Sequence, residues 1–372
     1  MLLLLQHCSF IVYYYCFPPT PSHSLFILIF NMNIYKKYLY TIILFFFLFF
    51  SIIASIFIIN TKYIPDYPVV RFPFEYLKIK KELPRLNGDN KIIILAGSNS
   101  FYGFNAGLFE KYTRRTTINM AVQGSFGLNF MFFYIKPFLH RGDILILPIE
   151  YGVLLSNDNH NHNYISSHVS YAFGLDYFKT IPLIEKLTYL RALKRDYFTD
   201  SLQRRVIGAP YSILHLDQCV NSSGDMLCNR SSERSRAGLH KVVLAQRSQD
   251  SLFIDPSNKE SLPDYASLKI VSNFLSWAKD KGVTIVGTYP NSADVLIQDK
   301  SLIKRIKSWY LNHNQIFIGE PSESFFQENM MYDTVYHLNV EGAELRTRLF
   351  SQRFCKETNY CKRHTISSAV SG

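Results

Sequence analysis

The apolar residues of this chain fall into one long run near the N-terminus and several short runs downstream. The long run, residues 38–59, contains no charged residue. A helix rises about 1.5 Å per residue, so this run matches the bilayer core of about 30 Å. It is longer than the core of a signal peptide and has no small-x-small cleavage site at its end. The pattern therefore predicts an uncleaved transmembrane anchor over residues 38–60.

The charges that flank this anchor predict its orientation. Lys36 and Lys37 precede the apolar run, whereas Lys62 and Asp66 follow it. Positive residues favour the cytoplasmic side of a membrane. We therefore predict a single-pass protein of the inner or plasma membrane, whose C-terminal domain is exported and is periplasmic or extracellular. Within the N-terminal segment 1–37, residues 1–31 contain no Lys, Arg, Asp or Glu. The sequence that begins at Met32 looks like the natural N-terminus of a membrane protein. This suggests the hypothesis that residues 1–31 are not translated.

The short apolar runs predict an α/β domain. Five have the length of buried strands: 91–96, 116–121, 143–148, 283–289 and 315–319. Helical patterns alternate with them: 105–112, 128–139, 265–281, 296–313 and 339–354. This alternation is typical of a parallel sheet covered on both faces. We expect a flavodoxin-like three-layer α/β/α fold with a five-stranded parallel sheet, preceded by one transmembrane helix.

The remaining stretches complete the expected domain organisation. Residues 61–90 are predicted to be a linker and 91–354 the α/β domain. Within that domain, residues 151–262 lack clear periodicity and are expected to form an insertion beside the end of the third strand. Residues 355–372 are expected to be a C-terminal tail.

Composition narrows the functional classes. With 48% hydrophobic and 19% charged residues, the 372-residue chain does not have the composition of a disordered protein. The formal net charge of +11 suits nucleic acid, anionic lipid or an acidic polymer alike. Export separates the domain from nucleic acid, so we expect no nucleic-acid partner.

The cysteines agree with export. Four of the 6 cysteines form two close pairs in sequence, Cys219 with Cys228 and Cys355 with Cys361. Such spacing favours local disulfides, with free thiols as the alternative. A zinc site would need closer Cys pairs and nearby His ligands. We therefore expect disulfides, no metal and no cofactor.

Candidate chemical groups follow the predicted strands, at the sheet edge where parallel sheets bind ligands. After the first strand comes Gly97 with a serine-rich turn, Ser98-Asn99-Ser100. The second strand is followed by Gly124, where a backbone N–H can approach a substrate closely. Glu150 and Tyr151 follow the third strand and are candidate substrate contacts. Asp333 and His337 lie together ahead of the last helix.

The order of these residues resembles the SGNH (GDSL-like) hydrolases, over about residues 91–353. It is most similar to their membrane-anchored bacterial members that modify cell-surface polysaccharides, as in alginate O-acetylation and teichoic-acid D-alanylation. The resemblance implies that Ser98 is the nucleophile, that Asp333 and His337 complete a triad, and that Gly124 donates to the oxyanion.

Three features depart from the family pattern. The usual Gly-Asp-Ser triplet is missing, so Ser100 is an alternative nucleophile, although Ser98 directly follows the strand and Gly97. Glu150 stands near the place of an oxyanion-binding Asn, and an ionised carboxylate cannot donate. The oxyanion-binding role is then either lost or taken by another residue, for which Asn99 is the candidate. Asp333 also precedes His337 by four residues, where the family spacing is three.

Two functions remain open from the sequence. The first is an exported serine esterase or O-acyltransferase that acts on a cell-surface or periplasmic glycan, with a polytopic membrane acyltransferase as a candidate partner. The alternative is a non-catalytic module of the same fold that binds or scaffolds a surface polymer or its assembly machinery.

Overall fold

The computed structural model describes residues 21–62, 68–157, 175–183, 186–187, 217–229, 262, 264–294 and 300–361. Most of the expected insertion 151–262 and residues 362–372 of the expected tail lie outside the described residues, as do residues 1–20. The chain divides into two compact units, Met1–Lys62 and Tyr63–Gly372. Each unit is described by itself.

The first unit contains one helix, α1 (Pro21–Lys62), in its described part. Its segment Ile34–Ser55 has 22 residues with a mean hydropathy of 2.2, and none of that apolar surface is buried within the protein. Phenylalanines four residues apart stack along the exposed side, with the Phe45 and Phe49 ring centroids 6.4 Å apart. The helix is therefore long and apolar enough to cross a membrane.

The second unit is built on a five-stranded sheet, and every strand pair in it is parallel. Its strands, in chain order, are β1 (Ile92–Ile94), β2 (Thr117–Asn119), β3 (Ile144–Leu147), β4 (Thr284–Thr288) and β6 (Ile316–Ile318). Their spatial order is β2-β1-β3-β4-β6. In register, Ile93 lies between Ile118 of β2 and Leu145 of β3. A separate two-stranded sheet pairs β5 (Ser292–Ala293) with β7 (Phe325–Phe326).

Helices lie between these strands in the chain. The ones that shape the sheet edge and its faces are α2 (Pro68–Lys81), α3 (Ser98–Gly103), α4 (Ala106–Thr113), α5 (Gly127–Ile135), α6 (Tyr151–Leu154), α7 (Leu175–Thr180), α8 (Ala266–Lys281), α9 (Lys300–Asn312) and α10 (Val340–Glu357). α10 packs against α4, and α8 packs against α5.

Successive side chains of each strand point to opposite faces of the sheet, so apolar residues pack on both faces. Ile92 and Ile94 of β1 share a buried cluster with Phe109 of α4 and Phe354 of α10. Successive strand side chains point to opposite faces, so Ile93 belongs to the other face. Between α5 and α8, the rings of Phe132 and Phe274 stack with centroids 3.9 Å apart. The expected α/β class and five-stranded parallel sheet are confirmed.

The expected linker 61–90 differs from the structure, because it contains helix α2. Pro73, Leu77 and Lys80 are buried at helical spacing. The Lys80 ammonium donates to the Asn119 and Ala121 carbonyls just after β2 and lies 3.8 Å from the centre of the Phe101 ring. Because Lys80 takes a buried position of α2, the sequence does not show the amphipathic pattern of this helix. The α/β unit therefore begins upstream of β1.

Both expected cysteine pairs are bonded, Cys219 to Cys228 and Cys355 to Cys361. The first closes the segment 217–229, which lies along β2 because the Asn119 N–H donates to the Ser223 carbonyl. Asp225 fixes the segment further by accepting the N–H groups of Ala106 and Gly107, at the start of α4.

Candidate active site

The two candidate serines have different surroundings. α3 begins at Ser98, immediately after Gly97, and Ser98 is half-buried. Ser100 is 0% exposed, and its hydroxyl donates to the Asn99 side-chain oxygen at 3.1 Å. A buried, bonded hydroxyl cannot reach a polymer substrate. Of the two residues, Ser98 is the one that solvent can reach.

Asn99 does not take over the oxyanion role that the sequence suggested for it. Its side chain is 0% exposed and donates to the Pro148 carbonyl at 3.1 Å. Its backbone N–H donates to Glu150 at 3.2 Å. The amide instead ties the serine turn to the end of β3, and this expectation is corrected.

The turns that carry Ser98 and Gly124 lie in direct contact. A Cβ atom at Gly97 would fall 2.4 Å from the Gly124 nitrogen and 2.1 Å from a carboxylate oxygen of Glu150. Contacts this short do not occur between real side chains, so only glycine fits at position 97. The absence of this side chain brings the backbone N–H of Gly124 beside the serine turn.

Glu150 bridges the two sides of that turn. Its carboxylate oxygens accept the N–H of Gly97 at 3.0 Å and the N–H of Asn99 at 3.2 Å. Burial raises the pKa of the Glu150 carboxyl, although these two N–H groups and the nearby His337 partly oppose that rise. Glu150 therefore contacts the turn on both sides of Ser98. Its neighbour Tyr151 is only 3% exposed, so the expected substrate contact through Tyr151 is corrected.

Asp333 and His337 form a close pair in a turn before α10. The distance from Asp333 Oδ1 to His337 Nδ1 is 2.6 Å. The Thr334 hydroxyl accepts the His337 N–H at 3.1 Å and so folds the turn that brings the two side chains together. The spacing of four residues is thus compatible with the pairing. Because Asp333 engages Nδ1, Nε2 is the ring nitrogen available to another group.

Tyr102 links His337 to the serine helix. The rings of Tyr102 and His337 stack with centroids 4.3 Å apart and an interplanar angle of 12°. Tyr102 follows Ser98 by four residues in α3, so the two side chains share one helix face. Among the described residues, no hydrogen bond joins Ser98 to His337. Catalytic hydrogen bonds are often long without substrate and tighten in the complex.

Two further residues support the site and carry no sequence signal of that role. Asn229 is 2% exposed, and its amide nitrogen donates to the Leu338 carbonyl at 3.0 Å and the Tyr102 carbonyl at 3.4 Å. It therefore fixes the segment next to His337. Buried Arg346 of α10 donates to the Tyr289 carbonyl at 2.9 Å, and burial lowers its pKa to about 9. The charge of Arg346 also interacts favourably with the carboxyl of Glu150.

The candidate site brings together a half-buried serine, an Asp–His pair and a buried glutamate. Within the part of the chain that the structure describes, no group of three His, Cys, Asp or Glu side chains could hold a metal ion. No protein-family model and no curated protein matches this chain. The geometry of the site is therefore the basis for the function proposed below.

Proposed function

We propose that this chain is a membrane-anchored serine esterase or O-acyltransferase of the SGNH type, whose exported domain acts on a cell-surface or periplasmic glycan. One observation carries the proposal. His337 is bonded through Nδ1 to Asp333 and stacked on Tyr102, on the helix face that Ser98 occupies. A base oriented by a carboxylate, close to a helix that begins with a serine, supplies the side chains that nucleophilic acyl transfer needs.

The reaction would have two stages, the acylation of Ser98 and the deacylation of the acyl-serine. Ser98 Oγ attacks the carbonyl carbon of the ester, its proton passes to His337 Nε2, and the carbonyl electron pair moves onto the oxygen. When that pair returns, the bond to the leaving alcohol breaks and the alcohol takes the proton from His337. A water or a glycan hydroxyl then attacks the acyl-serine in the same way, which gives hydrolysis or transfer respectively.

The surroundings of the reacting carbonyl support the oxyanion role of Gly124. Its backbone nitrogen lies against the serine turn because Gly97 has no side chain. A backbone N–H aimed at the developing negative charge costs no reorganisation during the reaction, and one such donor is worth about 10²–10³ in rate. We propose the N–H groups of Ser98 and Gly124 as the two backbone donors.

The membrane segment supports the choice of substrate. Helix α1 would keep the α/β unit at the membrane surface, where an acylated glycan is assembled or modified. A polytopic membrane acyltransferase would be the partner that supplies the acyl group in the transfer reaction. The side of the membrane is part of this proposal and depends on Lys36 and Lys37.

Labelling with a fluorophosphonate probe tests the catalytic proposal. The purified full-length chain in detergent should be labelled, and peptide mapping should locate the adduct at Ser98. Ser98→Ala should abolish labelling. Ser100→Ala is the matched control and should keep it, because the Ser100 hydroxyl bonds to Asn99 away from the surface. An adduct at Ser100, or equal labelling of Ser98→Ala, would contradict the assignment.

The contact between Glu150 and the serine turn favours a second candidate. The carboxylate accepts the N–H groups of Gly97 and Asn99, on either side of Ser98, and its negative charge there would repel an oxyanion. This is the arrangement expected of a non-catalytic module that binds a surface polymer. In that case the wild-type chain would bind glycan, would resist the probe at every pH, and would be unaffected in its cellular role by Ser98→Ala.

A further inference from the structure

Glu150 lies where the proposed acyl-transfer site would need to hold the oxyanion of the tetrahedral intermediate. Its carboxyl lies between the turn of Gly97 and that of Gly124, within 3.4 Å of where a Gly124 Cβ would stand. It accepts the N–H groups on either side of Ser98, from Gly97 and Asn99. The negative oxygen of a tetrahedral intermediate on Ser98 would form in the same small volume.

The charged and titratable groups around Glu150 come from the turn before α10, from α10 itself and from the next residue in the chain. His337, paired with Asp333, approaches from the turn before α10, and its charge favours the ionised carboxyl. Arg346 approaches from α10 and acts in the same direction. Tyr151 is its neighbour in the chain, at the start of α6. From the serine turn, Glu150 meets backbone N–H groups. Burial opposes all these effects.

We propose that Glu150 is a catalytic residue whose neutral acid donates its O–H to the oxyanion on Ser98, and whose ionised form closes the site. This rests on the function proposed above. The neutral carboxyl would act as a third donor beside the N–H groups of Ser98 and Gly124, in place of the Asn99 amide, which donates to the Pro148 carbonyl. The carboxylate, in contrast, holds the turn N–H groups and repels a second negative oxygen.

The chemistry is a donated hydrogen bond, and no proton leaves Glu150. The neutral form keeps its carbonyl oxygen as the acceptor for one turn N–H and turns its hydroxyl toward the substrate oxygen. A carboxylic acid kept neutral by an apolar site can serve as an oxyanion donor in this way. Because burial raises the pKa of Glu150, the neutral form persists to a higher pH than for an exposed glutamate.

The sign of the pH dependence follows. Raising the pH through the pKa of Glu150 converts the donor into a carboxylate, so acylation of Ser98 should slow on the alkaline side of that pKa. The decline should be about tenfold per pH unit until the benefit of one donor, about 10²–10³ in rate, is lost.

The experiment compares fluorophosphonate labelling rates over a range of pH for three full-length chains in detergent. They are the wild type, Glu150→Gln and the control Glu344→Gln. Glu344 is an exposed carboxylate on α10, so its replacement changes the net charge equally. The amide introduced by Glu150→Gln donates at every pH, so the alkaline decline should vanish from that variant and persist in Glu344→Gln. At the alkaline end of the pH range, Glu150→Gln should label about 10²–10³ times faster than wild type.

Each outcome decides between the proposals. If the wild type is not labelled at Ser98, both the acyl-transfer function and the role of Glu150 fall. If the wild type is labelled but Glu150→Gln keeps the alkaline decline, or labels more slowly at every pH, only the role of Glu150 falls. Should Glu150→Gln fail to fold, Glu150→Asp replaces it. The alkaline decline in the labelling rate of Glu150→Asp should then lie at a different pH from that of the wild type. A decline at the same pH in both chains overturns the proposal.

Discussion

At the scale of single residues, the missing side chain of Gly97 decides whether the two halves of the candidate site can meet. An alanine methyl there would fall 2.1 Å from Glu150 and 2.4 Å from Gly124, which is closer than non-bonded atoms approach. The serine turn would have to move away from the Gly124 N–H. Both the fold and the proposed oxyanion donors depend on this contact.

We therefore expect Gly97→Ala to destabilise the α/β unit by about 1–3 kcal/mol, as overpacking typically does, and to abolish labelling of Ser98. Gly107→Ala is the matched control. Its new methyl would meet only ordinary contacts of 3.6 Å or more in α4, so it should stabilise by about 0.5–1 kcal/mol. Urea denaturation measures both. Equal stability of the two variants would refute the contact between the turns.

Asp333→Asn should slow the labelling of Ser98 by about 10²–10⁴-fold without changing the fold. The amide can donate to His337 Nδ1, which would put the ring proton on Nε2 and remove the base from the serine side. Asp333 is 48% exposed in its side chain, so the substitution should be tolerated structurally. An unchanged labelling rate would show that the 2.6 Å pair is not part of a triad.

Residue types at the strand ends can be foreseen from the sequence, but their mutual contacts cannot. The sequence favours Ser98 over Ser100 because Ser98 directly follows Gly97, and the structure places Ser100 in the interior. The bonds from Glu150 to the serine turn join residues more than fifty positions apart, and no local pattern encodes them. The amide of Asn229 bonds to Leu338, which lies 109 positions further along the chain.

At the scale of elements, periodicity predicts the strands and helices well where apolar residues lie in continuous runs. The expected helix 265–281 corresponds to α8, and the expected helix 339–354 corresponds to α10. Helix α2 escapes detection because Lys80 takes a position in its buried stripe. Its ammonium finds the carbonyls of Asn119 and Ala121, which make that burial tolerable.

The segment 217–229 is the element that connects a disulfide to the candidate site. We expect the double variant Cys219→Ser, Cys228→Ser to lose about 2–3 kcal/mol of stability and to label more slowly at Ser98. The loss of labelling would arise because Asn229, next to Cys228, holds the Leu338 and Tyr102 carbonyls.

The second disulfide supplies the control for that experiment. Cys355→Ser with Cys361→Ser also opens a short loop, at the end of α10, and should cost about 2–3 kcal/mol as well. Its cysteines pack against the Phe109 and Phe354 cluster, away from the serine turn. Labelling of Ser98 should therefore be preserved. Equal loss of labelling in both variants would mean that stability alone explains the effect.

At the scale of the whole molecule, the described chain combines one apolar helix that is long enough to cross a membrane with one α/β unit. A reporter that is active only outside the cytoplasm should be active when fused after Gly372, because Lys36 and Lys37 favour the cytoplasmic side. Lys36→Glu with Lys37→Glu should reduce that activity. Lys279→Glu with Lys281→Glu, on exposed positions of α8, is the charge-matched control and should not. Activity of a cytoplasmic reporter at Gly372 would contradict the exported orientation.

The buried amide of Asn229 also bears on where this protein can be produced. Asn229, Arg230 and Ser231 match the acceptor pattern for N-linked glycans. Attachment would replace a hydrogen on the very nitrogen that contacts Leu338 and Tyr102, and would put a bulky sugar on a residue that is 2% exposed. A glycan added during synthesis in a eukaryotic secretory pathway would thus block folding around His337. Material for every experiment above should come from a host that does not glycosylate asparagine.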